Sequence, residues 1–278
     1  MNAPVLNSYD VANARALCQA SKCAYLAETP GVTRIVCEAS DTVVLIDQQP
    51  NDLIISFRGT ADLTNWLTDL DCAFSYLCLD SNAEVHAGFL KAWHSVRDEV
   101  LRAYVALAGN RRVWITGHSL GGALAVLAAT DFFLQRLPTV CGCYTFGQPR
   151  TGNLAFREWY QVWLGARTFR VIHADDMVAR IPWLLGAYRH VGHEVFYPSP
   201  AGSSSLAPQL DPPLWSKLPS DVRGLWRELA PCLTRETLCQ LTGAIALRDW
   251  VMIVKIVRTA KIALLNDHHV NLYADLFA

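Results

Sequence analysis

The feature that most constrains this chain is a β-branched run, Arg112 to Thr116, that leads straight into Gly117-His118-Ser119-Leu120-Gly121 and then into a helical stretch, Leu120 to Arg136. A G-x-S-x-G sequence between strand and helix specifies a tight, strained turn that lifts the serine hydroxyl above the end of a sheet. The glycines have a steric role, because side chains two residues before and after the serine would meet neighbouring backbone. The first N–H groups of the helix then point to where negative charge develops on a substrate carbonyl. A serine hydroxyl is a weak nucleophile at neutral pH, so the turn demands a base to take its proton and a third group to orient that base. The expected chain order is serine, acid, histidine.

Around this turn, strands and helices alternate. Tyr9 to Glu28 reads as an amphipathic helix closed by Pro30 and Gly31, followed by β-rich runs at Val32 to Cys37, Thr42 to Asp47 and Leu53 to Phe57. Gly88 to Ala108 has helical periodicity. After the serine come a strand (Val140 to Phe146), a helix (Asn153 to Leu164), a strand (Arg167 to Ile172) and a further strand at Val191 to Tyr197. The pattern predicts an α/β fold, a mostly parallel central sheet flanked by helices. A length of 278 residues fits one such domain over 1–278. Pro198 to Pro219 is rich in Pro and Ser and opens a stretch read as a loop plus helical insertion over 198–265, within that domain.

Composition narrows the partners. The formal charge of -1 carries no basic excess, which argues against nucleic acid. Hydrophobic residues make up 52% and charged ones 18%, against about 25% charged in an average domain. Even so, no stretch reaches the roughly 20 uncharged apolar residues that span a bilayer. The greasiest, Ala244 to Leu265, is interrupted by Arg248, Asp249, Lys255, Arg258 and Lys261. Its basic residues gather on one side of a helical wheel, which suits either an anionic membrane surface or a solvated edge of a packed helix. Met1 to Ala20 lacks the features of a secretory signal, and the nine cysteines contain no C-x-x-C. Together these predict reduced thiols and a cytoplasmic protein, with a secreted mature form trimmed of its leader as the alternative. No His/Cys/carboxylate cluster has ligand spacing, so no metal or cofactor is expected.

Six segments resemble the fungal-type class 3 lipases: Ile55-Ser56-Phe57-Arg58-Gly59-Thr60, Asn65-Trp66-Leu67-Thr68-Asp69, Val85-His86-Ala87-Gly88-Phe89, Gly117 to Gly122, Tyr144 to Arg150, and Asp176-Met177-Val178 with Pro182. The likeness runs from about Ile54 to Tyr197 and resumes at the C-terminus. It implies an α/β-hydrolase fold and hydrolysis of carboxylic esters, above all of acylglycerols or other fatty-acid esters, through Ser119. The resemblance makes Asp176 the acid. Ala179 stands where the family has a proline, which leaves Asp175 as a second candidate. Asp267-His268 followed by Tyr273 matches the family's histidine segment, with the adjacent His269 as the alternative base, while His190 and His193 match a structural R-H-V-G stretch.

For the oxyanion, Leu120 supplies the backbone N–H after the nucleophile, and the resemblance assigns the second donor to Thr60. Removing one such donor typically costs about 3 to 4 kcal/mol. Asp62 to Leu70 begins with a capping aspartate and carries Leu63, Trp66, Leu67 and Leu70 at i, i+3, i+4, i+7 spacing. That stripe fits either a lid over the site that meets a lipid interface or a fixed helix packed on the core. The same triad would also serve a phospholipase, thioesterase or acyltransferase. From another class, a catalytically silent hydrolase fold acting as a binding module is the remaining reading.

Overall fold

The structure is a computed structural model that describes residues 8–59, 73–76, 82–137, 140–174, 176, 178–182, 187–198 and 268–277. Chain contacts divide the protein into two units, Met1–Tyr197 with Ile262–Ala278, and Pro198–Lys261. All described residues except Pro198 belong to the first. The 198–265 stretch read as an insertion lies outside the described residues apart from Pro198.

Among the described residues, seven strands form one sheet: β1 (Thr33–Cys37), β2 (Thr42–Gln48), β3 (Asp52–Phe57), β6 (Arg112–His118), β7 (Gly142–Phe146), β8 (Thr168–His173) and β9 (His193–Tyr197), in that spatial order. The first three are antiparallel neighbours, and β3 through β9 pair in parallel. This is the mostly parallel sheet that the alternating pattern predicts. In the register Phe57 stands beside Gly117, His118 beside Phe146, and Phe146 beside Val171. The carboxyl ends of β3, β6, β7 and β8 therefore lie side by side. The residues leaving them are Arg58-Gly59, Ser119, Gly147 and Ala174, with Asp176 close behind.

Helices cover both faces. On one, α1 (Val11–Cys23) starts at Asp10, whose side chain accepts the Asn13 N–H at 2.7 Å, as an N-cap aspartate does. Its Ala14, Leu17 and Cys18 pack with Ile54, Trp114, Tyr144, Phe146, Phe169 and Val171 of the sheet, and with Tyr273 and Phe277 near the C-terminus. Buried hydroxyls fix the docking: Ser21 Oγ lies 2.8 Å from Thr116 Oγ1, which donates to the Leu17 carbonyl at 3.2 Å.

On the other face lies the helix after Ser119, Leu120–Leu134. It is apolar all round and buried from Gly121 to Phe132, as expected of a helix enclosed by its neighbours. Its one buried acid, Asp131, is answered by Arg97 and by Trp93 Nε1 at 3.2 Å.

The segment predicted as a single helix over Gly88 to Ala108 is two helices, α2 (Ala87–His94) and α3 (Arg97–Leu107). The break is set by tertiary contact. Ser95 Oγ donates to the Ala92 carbonyl at 2.7 Å and lies 2.6 Å from Ser40 Oγ, and Val96 at φ -123° starts the second helix. The helix after Ser119 is thus α4, and α5 (Leu154–Trp163) follows with Asn153 as its cap, accepting the Phe156 N–H at 2.9 Å. Two elements were not anticipated: a small antiparallel ribbon of β4 (Phe74–Tyr76) with β5 (Glu84–His86), and a six-residue helix, α6 (Val270–Asp275).

Candidate active site

The turn after β6 has the geometry its sequence demands. Ser119 adopts φ 59° and ψ -132°, a conformation that costs a non-glycine residue about 1 to 3 kcal/mol and persists only where surroundings enforce it. Its N–H donates to the Phe146 carbonyl and its carbonyl accepts the Gly122 N–H, both at 2.9 Å. A Cβ on Gly117 would stand 2.1 Å from the Gly121 oxygen, and one on Gly121 would stand 2.1 Å from the Phe57 oxygen. Backbone touches backbone here, so no other residue fits. Leu120 follows as the first residue of α4. Ser119 Oγ is buried with no hydrogen-bond partner among the described residues.

Asp176 and His268 meet at the same end of the sheet. Asp176 is fully buried, and His268 Nδ1 lies 2.9 and 2.8 Å from its two oxygens. The carboxylate accepts, so Nδ1 carries a proton, and in the neutral ring Nε2 then keeps its lone pair. Nε2 is buried and has no partner among the described residues. Asp176 Oδ1 also accepts the Val178 N–H at 2.8 Å, and Oδ2 accepts the Tyr273 hydroxyl. Burial first, and then the charge of Asp176, push the Tyr273 pKa well above the usual tyrosine value, so the phenol stays protonated and donates. Its oxygen in turn receives the His173 N–H at 3.2 Å. A serine hydroxyl, an imidazole with a bare Nε2 and a carboxylate on its other nitrogen form the set that serine nucleophilic catalysis requires.

The other candidates fall elsewhere. His269 is exposed and caps α6, accepting the Asn271 N–H at 3.2 Å. His190 Nε2 lies 2.7 Å from the Ala179 carbonyl, and the His193 ring stacks on Phe169 at 5.8 Å. Asp175, Thr60 and the Leu63, Trp66, Leu67 and Leu70 stripe lie outside the described residues. Sequence reasoning missed three participants. The sequence marks Tyr273 as an aromatic but not the partner of its hydroxyl, and nothing local in Tyr144 to Arg150 gives Gly147 its reason. His118 is the third: it sits in the motif itself, yet its ring stacks on His268 with centroids 4.5 Å apart.

A mostly parallel sheet, a serine on the strand-to-helix turn after β6, and an acid and a histidine from later segments paired at the same end of that sheet have the arrangement of an α/β-hydrolase fold. The profile of the family described as lipase (class 3) matches residues 54–185. Over those residues the chain is similar to the class 3 lipases. It is 34% identical over 154 residues to secreted mono- and diacylglycerol lipase 1 of Fusarium solani, covering 54% of this chain and 45% of that protein. With secreted mono- and diacylglycerol lipase A of Penicillium cyclopium it shares 31% identity over 160 residues, 56% of this chain and 52% of the relative. A solved triacylglycerol lipase, whose catalytic centre is described as a serine protease triad, superposes with a TM-score of 0.61 at 26% identity over 67% of this chain and 79% of that one. The chain spans about half the length of the curated relatives it matches.

The expected cytoplasmic location is overturned by these relatives, both of which are named as secreted. The cysteine pattern misled for a physical reason. Cys18, Cys141 and Cys143 are free and buried, and burial pushes the Cys18 and Cys143 thiols up to about 12. They behave as small core hydrophobes, which reports packing rather than compartment.

Proposed function

We propose that this protein is a serine ester hydrolase acting on acylglycerols or other fatty-acid esters, with Ser119 as nucleophile, His268 as general base and Asp176 as the orienting acid. The observation that carries the reading is the His268–Asp176 pair, which fixes the tautomer that leaves a buried Nε2 without a partner among the described residues. In this mechanism Nε2 takes the Ser119 proton as Oγ attacks the ester carbonyl carbon, and the carbonyl oxygen becomes an oxyanion facing the Leu120 N–H. Collapse expels the alcohol, protonated by His268, and leaves an acyl-enzyme. Water, deprotonated by the same Nε2, then releases the fatty acid. Thr60 as second oxyanion donor and the 62–70 stripe as a cap enter on sequence grounds alone, as does treatment of 198–265 as an insertion within one domain. The lipid substrate class is supported by the acylglycerol lipases among the relatives.

The test is labelling with a fluorophosphonate followed by peptide mapping, with initial rates on esters of graded chain length. Ser119 should take up the label, and Ser119→Ala should lose it together with kcat by a factor on the order of 10⁵ to 10⁶. A folded Ser119→Ala protein with near-native turnover, or label on another residue, would reject the mechanism.

A further inference from the structure

The side chain before the nucleophile has a partner at each ring nitrogen, and the order of donors can be read atom by atom. His118 is buried, and its Nε2 lies 2.7 Å from the His268 carbonyl oxygen. A carbonyl only accepts, so Nε2 carries the proton. Burial first, and then the neighbouring His268, hold the His118 pKa well below the usual histidine value. The ring is therefore neutral, and Nδ1 is bare. Nδ1 must accept, and the Tyr25 hydroxyl at 2.9 Å donates to it. Burial raises the Tyr25 pKa and keeps the phenol protonated, while its oxygen takes a backbone hydrogen bond from Gly59. Gly59 lies so close that a Cβ there would stand 2.5 Å from the Tyr25 oxygen and 2.9 Å from Ser119 Cβ.

The result is a one-way series: Gly59 N–H to Tyr25, Tyr25 to His118, His118 to the His268 carbonyl. It joins the backbone beside the nucleophile to the backbone of the base. His118 also gives His268 a flat support, with centroids 4.5 Å apart and planes at 29°. Tyr273 meets the edge of the His118 ring at 5.6 Å. His268 is thus held by Asp176 at Nδ1 and by His118 at both its carbonyl and its ring face.

We propose that Tyr25 and His118 are positioning residues that set the orientation of His268 and tie it to the backbone at Gly59. This rests on the hydrolase reading of Ser119, Asp176 and His268. Neutrality of His118 is part of the arrangement. When His268 takes the Ser119 proton, the imidazolium that forms lies against an uncharged ring, whereas a protonated His118 would oppose it as a like charge. The titratable groups facing His118 are Tyr25, His268, His269 and Tyr273.

The test uses Tyr25→Phe, His118→Phe and His118→Gln in the full chain, with a dissolved short-chain ester, fluorophosphonate labelling and thermal unfolding. His118→Phe keeps the ring face but loses both nitrogens, and should lower kcat about 100-fold with KM little changed, as a small misplacement of a reacting group does. Loss of one donor in Tyr25→Phe should cost about tenfold. Both should shift the acid limb of the kcat/KM profile against pH. His118→Gln, whose amide nitrogen can replace the ring donor, should recover much of the His118→Phe loss. In the native protein, ¹⁵N NMR should show His118 as the neutral Nε2–H tautomer across the active pH range.

Folded Tyr25→Phe and His118→Phe proteins with native kcat, a His118→Gln protein no better than His118→Phe, or a protonated His118 would each overturn the proposal. If the native chain takes no label and hydrolyses no ester, the hydrolase reading falls, and this one falls with it. Labelling of the native chain distinguishes the two failures.

Discussion

Replacing Gly147 by alanine should disconnect the acid from the base. Gly147 leaves β7 with φ 58°, and its N–H donates to the Val171 carbonyl at 3.0 Å. A Cβ on it would stand 2.6 Å from Asp176 Oδ2, 2.8 Å from His268 Cε1 and 2.9 Å from His268 Nδ1. Non-bonded heavy atoms settle near 3.5 Å or beyond, so the carboxylate and the imidazole must each give way by roughly 0.5 to 1 Å. The intruding methyl faces both ends of the 2.8 Å bond that orients the base. Misplacing a catalytic group by about 1 Å costs on the order of 100-fold, and losing the acid's orienting role altogether costs about 10⁴-fold. The loss in kcat/KM should fall between those limits.

Backbone strain adds a separate term of about 1 to 2 kcal/mol, because alanine resists the left-handed region. Gly31 isolates that term: it has φ 77°, and a Cβ added there would meet nothing within 4 Å. Gly31→Ala should therefore lower Tm by a few degrees and leave turnover intact, while Gly147→Ala loses both. Initial rates on a dissolved short-chain ester, paired with thermal unfolding, provide the comparison. A folded Gly147→Ala protein with kcat/KM within about threefold of native would refute the reasoning, as would an equal activity loss in Gly31→Ala.

His268→Ala should be as damaging as Ser119→Ala and the double variant little worse, because nucleophile and base act as a unit. His269→Ala should cost only about 1 kcal/mol of stability through loss of the α6 cap, and rate and denaturation measurements showing the reverse ranking would move the base by one residue. Stability should also fall in acid. Burial, first among the causes, holds both His118 and His190 well below the usual histidine value of 6.5, so below that pH the unfolded chain binds protons that the folded chain refuses. The contribution is fully present above pH 6.5. It declines by up to ~1.4 kcal/mol per pH unit for each histidine as pH drops toward the folded values. Urea titrations at stepped pH check this, and a flat profile between neutrality and the onset of carboxylate protonation would contradict it.

What could be read in advance was whatever is enforced locally. The turn at Ser119 was legible because its glycines answer a steric demand within five residues, and the strands after it because parallel pairing buries them as apolar runs. The break between α2 and α3 was not, since apolar periodicity continues through Ser95 and the interruption comes from Ser40, 55 residues away. The β4–β5 ribbon has three residues per strand, too few for alternation to register. His268 and His269 are the same residue type side by side, and only their partners differ: Asp176 for one, the Asn271 N–H for the other. Tyr25 carries no local mark at all, because the group that gives it meaning is 93 residues further along the chain.

The hydrogen bonds that converge on His268 join positions far apart in the chain, with separations of 93 residues for Tyr25 to His118, 150 for His118 to His268 and 92 for Asp176 to His268. Each contact closes a long loop, and that entropy must be spent before the contact returns anything. Helices such as α4 form from neighbours in sequence and need no such closure. During refolding the helical signal should therefore return before ester hydrolysis does, because the site is complete only when separate stretches of chain around Tyr25, Gly59, Ser119, Asp176 and His268 have found one another.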